Sequence, residues 1–399
     1  MIGGIGMLGL TAPLRAQNQQ QRPRRSEHEG PQAVRETTAD VRIVDFPRMP
    51  VGSILVEGKE PSDRYTIQAA GRVKLPTDAN LNFMFMAKMR QAVPMSTVSA
   101  GFEGLDLRRL SLFRAVISDQ DLGHVAKLKS VEELRLSYTA VTDAGLEYLA
   151  EMPNLWALQL DNTKITDEGL KHLERMPKLT RLKLSHTKIT DRGVATVARL
   201  KQMTGLNLAN CQISDESLRH LARMEHLSSL EIMNTPITNV GVEYLKGSRC
   251  LDYLAVGGTR IDDGALVHIG KMQTLRSLSI HTGRITDAGL VHLAKLERLR
   301  DLSLGQPVTD AGLVHLGNLT NLMSLRLSYA DINGAGLVHL KNLSSLRQLS
   351  LLRCPVKDSA VPHIIGLTSL RQLDVRDTEI TPAGLKELKE AMPECRITS

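Results

Sequence analysis

Eight of the twelve histidines in the chain fall at one recurring position: His124, His172, His220, His268, His292, His315, His339 and His363. A row of imidazoles can ligate a transition metal or sense pH near neutrality. Nine aspartates recur in the same way, at Asp119, Asp143, Asp167, Asp191, Asp215, Asp263, Asp287, Asp310 and Asp358. Carboxylates in pairs can move protons or hold a hard cation. Both ladders have a plainer explanation. Metal ligands must converge, and one histidine per unit on parallel helices makes a straight row. Each aspartate precedes a short helical pattern, where a carboxylate can cap the first free amides. The four cysteines, Cys211, Cys250, Cys354 and Cys395, match no zinc or CxxC spacing and are expected as free or buried thiols. No GxSxG, P-loop, HExxH or dinucleotide-binding pattern occurs. The expectation is a non-enzymatic protein with no catalytic residue, metal or cofactor.

The elements carrying these ladders are periodic. Leu107, Val131, Leu155, Leu179, Met203, Leu227, Leu251, Leu275 and Leu299 stand 24 residues apart. The step to Leu322 is 23, and Leu346 and Leu370 follow at 24. Twelve units in one register imply a solenoid, because no single unit can bury its own leucines. A solenoid grows in one dimension, so 399 residues need not mean several domains. Composition agrees: 42% of residues are apolar but only 3% aromatic, so the core must be Leu, Val, Ile, Met and Ala.

Residues 155–177 (LWALQLDNTKITDEGLKHLERMP) show one unit. Leu158 and Leu160 flank Gln159, so a short strand turns both leucines inward. Thr163 stands at the turn, where its hydroxyl can satisfy loop backbone. Ile165 returns to the core, Asp167 is placed as an N-cap, and Leu170 and Leu173 form one face of a short helix. The helix supplies the crossover that parallel strands need.

The unit L-x-x-L-x-L-x-x-T-x-I-T-D-x-G-L-x-x-L resembles the cysteine-containing type of leucine-rich repeat. ITDEGL at 165–170, ITDRGV at 189–194, ITDAGL at 285–290 and VTDAGL at 141–146 carry the resemblance. Cys211 and Cys354 occupy the position for which that type is named. Such repeats occur in eukaryotic F-box substrate receptors and in exported or surface proteins of planctomycetes. The resemblance covers about three quarters of the chain. It implies an α/β leucine-rich-repeat solenoid with a parallel concave sheet and convex helices, binding a protein or peptide. No F-box-like helical segment precedes the repeats. Residues 41–104 are β-rich and similar to a β module found ahead of repeats in the planctomycete proteins. A bacterial scaffold is the favoured reading; an intracellular substrate-recognition adaptor lacking an F-box is the alternative.

Residues 1–16 (MIGGIGMLGLTAPLRA) form a short apolar run ending in a small residue, like the core and cleavage site of a secretory signal, though without its basic start. Export to the periplasm, cell surface or medium is therefore expected. Residues 17–40, rich in Gln, Arg, Glu and Pro, are expected to be a disordered linker. Residues 41–104 are expected to form three or four strands that cap the solenoid. Within them, 81–89 (LNFMFMAKM) fits a strand or a short helix equally. The solenoid runs over 105–399 and closes on a strand near 392–398. No other apolar stretch is long enough to span a membrane. The net charge of +7 is spread without a like-charged block, so nucleic acid is not an expected partner, and the chain is expected to be monomeric.

The positions that the repeat leaves free are the candidate binding surface. They include Phe113, Arg135, Tyr138, Gln159, Arg181, Lys183, His186, Asn207, Glu231, Tyr253, His281, Asp301, Arg326, Tyr329, Arg353, Asp374 and Arg376. Tyr and Arg are common interface anchors, and a long concave face displays them together.

Overall fold

The computed structural model describes residues 41–46, 51–60, 63–85, 95–305 and 307–399. The signal-like segment and the linker expected at 1–16 and 17–40 lie outside these residues. The N-terminal strands are β1 (Val41–Asp45), β2 (Gly52–Glu57), β3 (Arg64–Gln68), β4 (Arg72–Pro76) and β5 (Asn80–Phe85), followed by helix α1 (Met95–Phe102). The repeat strands are β6 (Leu107–Ser111), β7 (Glu133–Arg135), β8 (Ala157–Gln159), β9 (Arg181–Lys183), β10 (Gly205–Asn207), β11 (Ser229–Glu231) and β12 (Tyr253–Ala255). They continue as β13 (Ser277–Ile280), β14 (Asp301–Leu304), β15 (Ser324–Arg326), β16 (Gln348–Ser350), β17 (Gln372–Asp374) and β18 (Arg396–Thr398). Among the described residues, β3, β2 and β5 through β18 form one sheet in the order β3-β2-β5-β6 and then serially to β18. β2 pairs antiparallel with β3 and β5, whereas β5–β6 and every later pair are parallel.

The core follows the repeat. Leu155, Leu158, Leu160, Ile165, Leu170 and Leu173 are fully buried, and the same positions are buried in unit after unit. Thr163 does what its place suggests: its hydroxyl donates to the Leu160 carbonyl at 2.6 Å. Thr139, Thr187 and Thr235 make the same bond. Cys211 and Cys354 stand in this column and donate their thiols to the preceding unit instead, to Leu184 O at 3.2 Å and Leu327 O at 2.8 Å. Burial pushes the Cys354 thiol up to about 11. It therefore stays protonated at neutral pH and is a poor nucleophile.

The aspartate ladder does something other than the expected capping. The helix caps are the residues just before the aspartates: the side chains of Ser118, Thr190, Ser214 and Thr309 each accept from an amide of the first turn. Each aspartate is spent between units. Asp167 Oδ1 accepts from the Thr190 amide at 2.9 Å, and Oδ2 from the Thr190 hydroxyl at 2.6 Å. The same clasp joins Asp119 to Thr142, Asp143 to Thr166, Asp191 to Ser214, Asp215 to Thr238, Asp263 to Thr286, Asp287 to Thr309 and Asp358 to Thr381. A buried hydrogen bond to a charged acceptor contributes about 1.5–3 kcal/mol. At Asp191 burial works to raise the pKa, but bonds from Ser214 and Ser217 outweigh it and hold the carboxyl below its ordinary value.

The clasp also dictates the glycine of each ITDxGL segment. A Cβ at Gly145, Gly169, Gly193, Gly241, Gly289, Gly312 or Gly384 would lie 2.3–2.6 Å from the Oδ1 of the previous unit's aspartate. The outer segments are short. Some are α-helical, such as Asp191–Val197, and others are 3-10 turns, such as Gly169–Arg175 and Ala335–Leu340.

Among the described residues, the N-terminal module departs from its expected form in having five strands and a helix. Its 81–89 segment resolves as a strand as far as Phe85, with 86–89 outside the described residues. Its core is aromatic where the repeats are aliphatic. Phe46, Phe83 and Phe102 cluster with centroids 5.1–6.4 Å apart, and Phe85 meets Phe83 edge-on. The solenoid's first unit has no neighbour to interdigitate with, and large rings fill that irregular end.

Candidate functional site

The candidate residues fall into four columns on one side of the molecule. Arg181, Tyr253 and Asp301 open their strands. Arg135, Gln159, Lys183, Asn207, Glu231, Arg326 and Asp374 form a second column, two residues along and on the same face. Phe113, His281 and Arg376 lie two residues further, where the strand ends. Tyr138, His186, Tyr329 and Arg353 are one step beyond, in a turn with φ of 56–63°. Only the first two columns lie on the sheet face itself; the other two line its edge. Units without a special residue at the turn use Asn162, Asn210, Asn234 or Gly258 there. These are the residues that adopt a left-handed conformation at least cost.

The N-terminal end of this surface is an aromatic and cationic cluster. Phe113 meets the Tyr138 ring at 5.3 Å and 72°. The Arg114 guanidinium lies 5.2 Å from both ring centroids, and Arg135 lies 5.4 Å from Phe113. Further along, Arg181 covers the Trp156 ring at 5.4 Å. Such pairs contribute about 0.5–1 kcal/mol each at exposed sites.

The middle is polar and partly buried. Asn207 Nδ2 donates to Glu231 Oε2 at 2.9 Å. Burial raises the Glu231 pKa, with the charge of Lys183 opposing it. Burial also raises that of Tyr253, helped by Glu231. A shallow groove over Gly205 lies between Arg181, Lys183, Asn207 and Glu231. His281 Nε2 is 2.8 Å from Ser303 Oγ, and burial of its ring lowers the pKa. Gln159 is half-buried on β8, between Arg135 and Lys183.

At the C-terminal end the arginines have carboxylate partners. Arg353 lies 5.3 Å over Tyr329, donates to its hydroxyl at 3.0 Å and donates to Asp377 at 3.1 Å. Arg376 donates to Asp374 at 2.7 Å, and that bond is the main reason the Asp374 pKa is lowered. Arg326 and Asp374 border a second groove across β15–β18.

The histidine row lies on the opposite side, in the outer segments. Val267, Val291, Val314 and Val338 precede His268, His292, His315 and His339 and are exposed. Among the described residues no three His, Cys, Asp or Glu side chains are placed to share a metal ion.

A leucine-rich-repeat family model matches residues 127–150, 175–198 and 366–389. No curated protein sequence matches the chain. Among solved structures, an internalin of Listeria monocytogenes is similar at 24% identity with a TM-score of 0.54, covering 74% of this chain and 82% of that one. A leucine-rich-repeat protein of Leptospira interrogans is similar at 18% identity with a TM-score of 0.51, covering 76% and 80%. This is a leucine-rich-repeat solenoid. The family match falls on three segments, and the sheet shows that the solenoid's repeat continues between them without a break.

Sequence reasoning passed over two residues of the solenoid's open side. Arg114 opens the turn column that includes Tyr138 and Arg353, and alignment of the units on that turn would have found it. Trp156 is the chain's single tryptophan and lies half-exposed under Arg181. No helix of the described residues is long and apolar enough to cross a membrane.

Proposed function

We propose that the protein is an exported, non-enzymatic scaffold that binds a protein or peptide on the concave face of its sheet. The observation that carries this reading is the arginine–aromatic cluster formed by Arg135 on the sheet face with Phe113, Arg114 and Tyr138 along its edge. Rings and guanidinium groups in this arrangement are the usual anchors of protein interfaces. The aspartates that could have suggested catalysis are consumed by the inter-unit clasps. Export is supported by the signal-like run at residues 1–16.

Affinity capture from the native host tests the binding face. Wild-type protein should retain partners that a Tyr138→Ala, Arg326→Ala, Tyr329→Ala variant loses. Identical partners for both would overturn the concave reading. Fractionation of the host tests export, which fails if the protein stays in the cytoplasm.

A further inference from the structure

We infer that the N-terminal end of the open face is a receptor for an acidic peptide segment, with Arg114 and Arg135 as carboxylate-binding residues. The inference rests on the concave-face reading and names its partner's chemistry. Arg114 and Arg135 are exposed, and among the described residues neither has a carboxylate partner. Their neighbours do not supply one. Arg135 is flanked in its column by Ser111 and Gln159. Glu133, on the same strand, is held by Arg109 at 2.9 Å. Asp161 accepts from Ser137 and Ser185.

What both arginines do have is a ring beneath them. A guanidinium held against a ring has no hydrogen bond to make there, so its N–H groups remain free for the fork that matches a carboxylate. The ring also fixes the side chain before the ligand arrives, which lowers the entropic cost of binding. Exposed Tyr138 offers apolar contact beside the two charges.

The charge continues along the sheet. Lys183 lies two strands beyond Arg135, about 10 Å at ordinary strand spacing, or about three residues of extended peptide. Between them stands neutral Gln159. Arg181 is flanked by Ala157 and Gly205, which leave room above the sheet. The track ends at Glu231, whose carboxylate faces Lys183 and Asn207. At the other end of the solenoid the same Arg-on-Tyr pairing recurs with its charge cancelled, because Asp377 and Asp374 hold Arg353 and Arg376. The molecule thus contains its own control.

The probe is a fluorescent peptide of repeating Asp-Leu-Ser units, titrated at physiological salt and followed by anisotropy. Wild-type protein should bind it, and Arg114→Gln, Arg135→Gln should weaken binding by about tenfold or more. Arg353→Gln, Arg376→Gln should leave it unchanged. All four arginines are exposed, and circular dichroism melts confirm folding of each variant. Four results would overturn the proposal: no binding by wild type, equal loss in both variants, equal binding of an Asn-Leu-Ser peptide, or tighter binding of single-stranded DNA. Retention of host partners separates the two readings. Loss in the Tyr138/Arg326/Tyr329 variant but not in Arg114→Gln, Arg135→Gln would reject the acidic-peptide site and keep the concave scaffold.

Discussion

Two seams between neighbouring units solve the same packing problem in different ways. At one, Asp167 takes both the amide and the hydroxyl of Thr190, and Gly193 leaves room for the carboxylate. At the other, the aspartate's place is held by Gly334 and the glycine's place in the next unit by Ala360, which is buried. A third seam has Asn239 for the aspartate, and there the following unit again carries a buried alanine, Ala265. Aspartate and glycine are therefore one device shared between two units. Where the carboxylate goes, a methyl group can return.

That pairing can be broken from either side. The largest effect is expected for Gly193→Ala. Its Cβ would stand 2.3 Å from Asp167 Oδ1 and 3.0 Å from Leu170 Cδ1, so the urea midpoint should fall by the equivalent of about 3 kcal/mol. Asp167→Ala should cost about 2 kcal/mol, because the Thr190 amide and hydroxyl lose their acceptor. In that background, adding Gly193→Ala should cost less than about 1 kcal/mol. A double-mutant cycle measures the coupling, and strict additivity would show the pair to be unlinked. At the seam without a carboxylate, Ala360→Gly should cost only about 0.5–1 kcal/mol, from backbone entropy and a lost methyl.

Acid sharpens the same contrast. The Asp191 pKa is held below its unfolded value, so its stabilisation is present above the unfolded pKa and is lost as pH falls through the lowered folded one. Below about pH 4 the Asp191–Ser214 seam should weaken, and Asp191→Asn should flatten the fall in denaturation midpoint with pH. A slope that Asp191→Asn leaves unchanged would place the acid sensitivity elsewhere.

Much of this architecture was legible because the chain repeats. The 24-residue spacing placed each strand leucine and each turn threonine. The clasp was not legible as such. Asp167 and Thr190 are 23 residues apart, and the local context of Asp167 fits an N-cap equally well. Choosing between them needs the neighbouring unit in place. Helix type was hidden for a related reason: a seven-residue segment with apolar positions three apart satisfies an α-helix or a 3-10 turn. The N-terminal module has no period, so its fifth strand and its phenylalanine cluster had no signal to announce them. On the candidate surface, the sequence marked the variable positions but not which arginines are free. That depends on where Asp374 and Asp377 come to lie.

The turn column sets stability against recognition. Tyr138, His186, Tyr329 and Arg353 hold a left-handed backbone that asparagine or glycine occupies with less strain, as Asn162 and Gly258 do. Retaining bulky side chains there costs folding energy in several units at once. Tyr138→Asn should therefore raise stability slightly while weakening any ligand that rests on the ring. A protein selected only for endurance would drift toward asparagine along this edge. The positions where it has not done so mark where rigidity has been traded for something to hold.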